Sequence, residues 1–206
     1  MSEEVLPKVA AAIEAGIDSG AHLGAALAVS RRGSLVGELA LGQSRPGVPM
    51  ATDSIVLWMS SSKPIGAAAI LQQVERGKLS LEDKVTRFLP AFAAGGKEPI
   101  TVRQLLTHTC GFRWVDLRGV EHSWEDIIAR ICAAPLESGW IVGEKAGYHP
   151  YTSWFILGEL VRLIDGRPFE QYVRDEIFLP LGMNNSWIGM PIDRYNAYGT
   201  RIALTY

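Results

Sequence analysis

The sequence predicts an α+β protein, with an antiparallel sheet lobe, an all-helical lobe, and a sheet that is incomplete within this chain. Three observations predict it. A hairpin pattern, HLGAALAVS then RRG then SLVGELALG, occupies residues 22–42. A stretch of helical periodicity precedes it. A succession of capped helical segments then runs to about residue 190. Strands gathered at one end and helices at the other indicate segregated layers rather than alternating βα units.

Each element has its own signal. Val5, Leu6, Val9, Ile13 and Ile17 recur near the helical period and predict a helix over 3–18. Residues 22–30 and 34–42 read as two strands around a tight glycine-containing turn, and QSRPGVPMAT (43–52) reads as a loop. PIGAAAILQQVERG (64–77) is an alanine-rich helix with Gly77 as its stop. TVRQLLTH (101–108) is capped by Thr101 and stops near Gly111. SWEDIIARICAA (123–134) has Ser123 as N-cap, with Asp126 in the capping-box position. TSWFILGELVRLIDG (152–166) is capped by Thr152 and stopped by Gly166. RPFEQYVRDEIFLPLGM (167–183) carries Pro168 in its first turn and ends at Pro180 and Gly182. PIDRYNAYGTRIALTY (191–206) has no strong period. The expected organisation is therefore an N-terminal helix and hairpin (1–55), a helical lobe (56–190) and a connecting segment that leads out of it (191–206). Two strands alone make a marginal sheet, so the hairpin calls for further strands.

Composition narrows the function classes. With 48% apolar and 20% charged residues over 206 positions, the chain has the make-up of an ordinary globular protein. A net charge of −2 and no basic stripe argue against nucleic acid and acidic membrane surfaces as partners. The start, MSEEVLPK, is acidic where an export signal needs positive charge, and no stretch approaches the roughly 20 apolar residues of a membrane span. Cys110 and Cys132 form neither a disulfide framework nor a metal spacing. A cytoplasmic location is expected.

The chemistry concentrates in WMSSSKPIGAAAILQQ (58–73). Residues three apart share a helix face, so of the three serines only Ser60 can meet the Lys63 amine. Pro64 marks the helix as just starting, because proline is tolerated only in the first turn. A serine there faces free backbone N–H groups and the positive end of the helix dipole, both suited to a developing oxyanion. Serine also needs an adjacent base to become a nucleophile, and Lys63 is the nearest candidate. Taken alone, S-x-x-K is a common tetrapeptide, and serine is simply a good helix cap.

The surroundings make the pattern specific. SSSKPIGAAAILQQVERGKLSLEDKV (60–85) resembles the nucleophile helix of the serine β-lactamase and penicillin-binding-protein superfamily. ITVRQLLTHTCGF (100–112) and PLGM (180–183) resemble stretches that follow in class C-like β-lactamases and related esterases, in the same order. The resemblance covers roughly 3–190. It implies a β-lactamase/transpeptidase-like fold with the site between its two lobes. It also implies a tyrosine motif before the helix that leads to PLGM, and GYHPYTSWFILGEL (147–160) stands there with Tyr148 as the matching residue. His149-Pro150 replaces the usual pair with its asparagine, which favours ester cleavage over β-lactam hydrolysis. The implied roles are Ser60 as nucleophile, Lys63 as base partner and Tyr148 as general acid/base, acting on a small-molecule ester or amide with no metal or organic cofactor. Tyr151 is a rival tyrosine with poorer spacing.

One departure stands out. The family's third motif, Lys-Thr-Gly or His-x-Gly, supplies a cation and a second oxyanion donor, and no such motif follows Tyr148. The chain therefore resembles the N-terminal half of such an enzyme, and a second polypeptide completing the sheet is an expected partner. Acyl transfer through the same acyl-enzyme, and a non-catalytic or incomplete half, are the alternatives; D-Ala-D-Ala peptidase activity fits the cytoplasmic reading poorly. A Cys110–His108 nucleophile pair is disfavoured because residues two apart do not face each other, and His149 reads equally as a packing residue. His22 and His122 stand alone. Trp58, Trp114, Trp140 and Trp154 read as core residues first and as an apolar acyl pocket second.

Overall fold

A computed structural model of the chain describes residues 6–117 and 123–204. The first residues of the predicted N-terminal helix, with Val5, and His122 lie outside the described residues. The described residues form two compact units. One contains the residues up to Trp58 and those from Gly189 onward, and the other spans Met59–Ile188.

In the first unit, helix α1 (Pro7–Asp18) has proline in its first turn and buries Ala10. Strands β1 (Gly24–Arg31) and β2 (Ser34–Arg45) pair antiparallel with Arg31 opposite Ser34. Arg32 and Gly33 are thus left as a two-residue turn. Their φ angles, 52° and 78°, are both positive, as a type I′ hairpin turn requires. A bulge lies between Val29 and Ser30.

β2 does not stop at Gly42 as the sequence suggested. It continues to Arg45, turns at Pro46-Gly47 and returns as β3 (Val48–Pro49), so the sheet has three strands in the order β1-β2-β3. The pattern was masked because the inward residue on this stretch is polar: Ser44 is 2% exposed, and period-two hydrophobicity fails there. The segment after Met190, predicted to be without regular structure, forms helix α7 (Ile192–Tyr198) and a parallel bridge between Ile55 and Ile202. Ile55 N–H donates to the Arg201 carbonyl at 2.7 Å and Leu204 N–H to that of Ser44 at 2.9 Å. The Arg45 guanidinium donates to the Gly199 and Ile202 carbonyls. A seven-residue helix is too short to show a period, and the bridge is a long-range event.

The second unit is helical. Helix α2 (Lys63–Glu75) packs against α5 (Thr152–Asp165). Ala69 and Ile70 of α2 join Ile156, Leu157, Leu160 and Val161 of α5 in one core. Gly66 makes the approach close, since a Cβ there would lie 3.2 Å from the Trp154 ring. Helix α3 (Val102–Leu106) is capped by Thr101, as the sequence predicts; the Gln104 side-chain oxygen accepts from the Thr101 N–H and completes a capping box, and the helix ends two residues before His108. In α4 (Trp124–Ala133) the Ser123 side chain accepts from Asp126 N–H. The Trp124 indole N–H donates to Glu159 at 2.6 Å, tying α4 to α5 through a carboxylate that Arg162 also binds. α5 starts one residue earlier than a Thr152 cap would place it: Tyr151 is the N-cap and Thr152 is already helical. Gly166, at φ 91°, ends it. After α6 (Phe169–Val173) the chain widens into a π-turn over Arg174–Phe178. Among the described residues, no helix is long and apolar enough to cross a membrane.

Candidate active site

Ser60 does not lie in the α-helix itself. It sits on a 3₁₀ turn, Met59–Ser62, that runs directly into Lys63, the first residue of α2. In a 3₁₀ turn residues three apart are eclipsed, so the Ser60–Lys63 spacing brings the two side chains together even more directly than on an α-helix. Lys63 Nζ donates to Ser60 Oγ at 2.9 Å. Ser62 is turned away and donates its hydroxyl to the Met59 carbonyl at 2.7 Å. Met59, immediately before Ser60, has φ 50°. That left-handed conformation is costly for a side-chain-bearing residue, and such strain clusters at functional sites.

Tyr148 comes from far along the chain to complete the group, its Oη 2.5 Å from Ser60 Oγ. It belongs to an irregular segment between α4 and α5 and is 51% exposed. Hydrogen bonding to Lys63, then to Ser60, together with the lysine charge, holds its phenol below the ordinary tyrosine range. Ser60 Oγ accepts a hydrogen bond from Lys63 Nζ and is free to direct its own hydrogen toward Tyr148.

The other candidates take different places. The Tyr151 hydroxyl donates to the Val115 carbonyl at 2.7 Å and is not part of this group. Cys110 does not meet His108: its thiol lies 3.2 Å from His149 Nε2, is buried, and is pushed up to about 12 by that burial, which suits packing rather than nucleophilic attack. His149 is fully buried and is pushed down to about 4, mainly by desolvation. Trp140 is buried and donates its indole N–H to the Thr109 carbonyl at 3.1 Å. The exposed Trp114 lines a shallow apolar hollow with Val115, Leu117 and Tyr151. Trp154 lies beneath the lysine, with Nζ 5.8 Å from its ring. Among the described residues, no group of three or more His, Cys, Asp or Glu is placed to hold a metal ion.

Sequence reasoning passed over Met59, and weighed His108 only as a partner for Cys110. The ring of His108 lies 5.2 Å from that of Tyr148. Its φ of 60° follows from where α3 stops, and no local sequence signal announces it.

Comparison with protein families matches residues 9–202 to the family described as Beta-lactamase. The chain is 31% identical over 187 residues to Esterase EstB of Burkholderia gladioli, a match covering 79% of this chain and 46% of that protein. Its fold is similar to that of a penicillin-binding protein homolog from Caulobacter crescentus, with 31% identity and a TM-score of 0.79, covering 95% of this chain and 52% of the other. It is also similar to a family VIII carboxylesterase, with 26% identity and a TM-score of 0.80, covering 96% and 54%. The chain thus spans about half the length of these relatives.

Proposed function

Because this chain belongs to the Beta-lactamase family, we propose that it is the part of a serine hydrolase that carries the nucleophile, cleaving a carboxylic ester of a small molecule through an acyl-Ser60 intermediate. The observation that carries this reading is the convergence on one hydroxyl: Ser60 Oγ lies 2.9 Å from Lys63 Nζ and 2.5 Å from Tyr148 Oη.

Tyr148, as the phenolate, takes the Ser60 proton while Ser60 Oγ forms its bond to the substrate carbonyl carbon. The carbonyl electron pair moves onto oxygen, where the Ser60 backbone N–H is one donor. As the tetrahedral centre collapses, the carbon–oxygen bond to the alcohol breaks and Tyr148 returns the proton to the departing oxygen. Water then attacks the acyl carbon and gives its proton to Tyr148; as that tetrahedral centre collapses, the bond to Ser60 Oγ breaks and Tyr148 returns the proton to the serine, restoring the phenolate. Lys63 donates to Ser60 Oγ and keeps it oriented, and its charge favours the Tyr148 phenolate. Ester is preferred over β-lactam because His149-Pro150 stand where an asparagine would contact an amide.

The cation and second oxyanion donor of the third family motif are assigned to a second polypeptide segment that completes the sheet. A cytoplasmic location is proposed on the chain's two free, buried cysteines.

Intact-mass analysis after incubation with a fluorophosphonate, on wild type and Ser60→Ala, tests the reading. One adduct on wild type and none on Ser60→Ala is the expected result. An adduct that survives in Ser60→Ala, or a folded wild type that takes none, would refute an activated Ser60 in this chain.

A further inference from the structure

Tyr148 lies outside any helix or strand, yet its hydroxyl must hold a position within tenths of an ångström of Ser60. The hydrogen bonds on either side of it lead to one residue. Gly147 N–H donates to the His108 backbone carbonyl at 2.9 Å. His149 N–H donates to the His108 ring nitrogen Nδ1 at 3.1 Å. Between those two anchors, the His108 ring packs against the Tyr148 ring at 5.2 Å. His108 thus grips three consecutive residues, by its carbonyl, its ring face and its ring nitrogen. Its own backbone is held at φ 60°, a conformation histidine adopts uncommonly, so the surrounding structure sustains strain at this point.

We propose that His108 is a positioning residue for the Ser60 chemistry, its neutral Nε2–H tautomer fixing the Tyr148 segment so that the phenol oxygen stays on Ser60 and Lys63. This rests on the serine-hydrolase reading for its consequence in rate, though not for the geometry. The tautomer follows from the bond: Nδ1 accepts from a backbone N–H, so the ring's hydrogen is on Nε2. Protonation would turn Nδ1 into a donor facing a donor and add a second positive charge near Lys63. Three titratable groups face His108. Lys63 comes from α2, and Tyr148 and His149 come from the gripped segment, while α5 contributes the uncharged Trp154 at 5.9 Å. Burial, then the Lys63 charge, hold the imidazole below its usual range, so the clamp stays closed at neutral pH.

Two substitutions separate the ring nitrogen from the backbone. His108→Gly keeps the carbonyl and relieves the positive φ but removes the acceptor. His108→Asn keeps an acceptor in nearly the Nδ1 position, tolerates positive φ, and cannot titrate. Two readouts are taken. One is the rate of fluorophosphonate labelling of Ser60 against pH. The other is the ionisation of Tyr148 by ultraviolet difference titration, wild type minus Tyr148→Phe. His108→Gly is expected to label about 100-fold more slowly, the cost of roughly an ångström of misplacement, and to return Tyr148 toward ordinary tyrosine ionisation. His108→Asn is expected to recover most of the rate and to lose the second acid-side fall, below the usual histidine range and distinct from the Tyr148 limb, that protonation of His108 gives wild type.

Unchanged labelling and unchanged Tyr148 ionisation in His108→Gly overturn the proposal, as does an asparagine variant as impaired as the glycine one. If glycine does not fold, the asparagine variant decides alone: a second fall, on the acid side of the Tyr148 limb and below the usual histidine range, that persists there overturns it. If wild type fails to label at all, the hydrolase reading falls, and the Tyr148 titration still decides the clamp.

Discussion

Tyr148→Phe removes one oxygen and little else. The ring stays, so its packing against His108 and its place above Lys63, whose Nζ lies 5.0 Å from the ring centroid, are kept. The lost atom is the acceptor 2.5 Å from Ser60 Oγ. Lys63 remains 2.9 Å away, where it donates to that oxygen. The variant therefore loses its base without losing its nucleophile. General acid–base catalysis is worth about 10²- to 10⁴-fold, or about 3–5 kcal/mol of barrier. The second-order rate of fluorophosphonate labelling, followed by intact mass, should fall by that factor. Stability should barely change, because the hydroxyl is at the surface and the ring is retained. The pH profile supplies the sign. The active form is the phenolate, and hydrogen bonds and charge from Lys63 hold the phenol below its usual range. Wild-type labelling should therefore rise with pH through a midpoint below the usual tyrosine value of about 10, and that limb should vanish in Tyr148→Phe. A variant within about threefold of wild type, with the limb intact, would refute Tyr148 as the base.

Lys63→Met should slow labelling and also shift two other groups upward, since the lysine lowers both Tyr148 and His108; ultraviolet and NMR titrations that leave both unmoved would refute the coupling. Glu137→Gln tests the support beneath the site. Arg113 donates to this carboxylate from its backbone N–H and its guanidinium, at 2.6–3.0 Å, and holds it below the usual carboxylate range. The stability it contributes is present above the unfolded carboxylate value of 4.5 and is lost as pH falls through the lower folded value. Removing the charge from this partly exposed pair should lower stability at pH 7 and lower it less in acid, read by urea denaturation; an equal loss at both pH values would refute the ion pair as its source.

The site was legible in the sequence to the extent that its geometry is local. Ser60 and Lys63 are three residues apart on a chain that is turning, and any helical turn, 3₁₀ or α, puts them on one face. The same locality made α2, the Thr101 cap and the Gly166 stop readable, since caps and periods act within a few residues. Tyr148 is of a different kind. No spacing rule links it to a serine 88 positions earlier, and only the resemblance of the surrounding motifs singled it out.

Tertiary structure alone decided the rest. β3 and the Ile55–Ile202 bridge exist because backbone groups distant in sequence satisfy one another, and the polar inward Ser44 erased the alternation that would have marked the strand. The positive φ at Met59 and His108 reflects what their neighbours impose, which residue type does not encode. His108 is the clearest case. In the sequence it is one histidine in LTHTCGF beside a cysteine it never touches. In the fold it meets Gly147, Tyr148 and His149 at once, because α3 ends where the segment before α5 passes by. Local propensity sets which side chain sits at a turn; only the packed chain sets what that side chain faces.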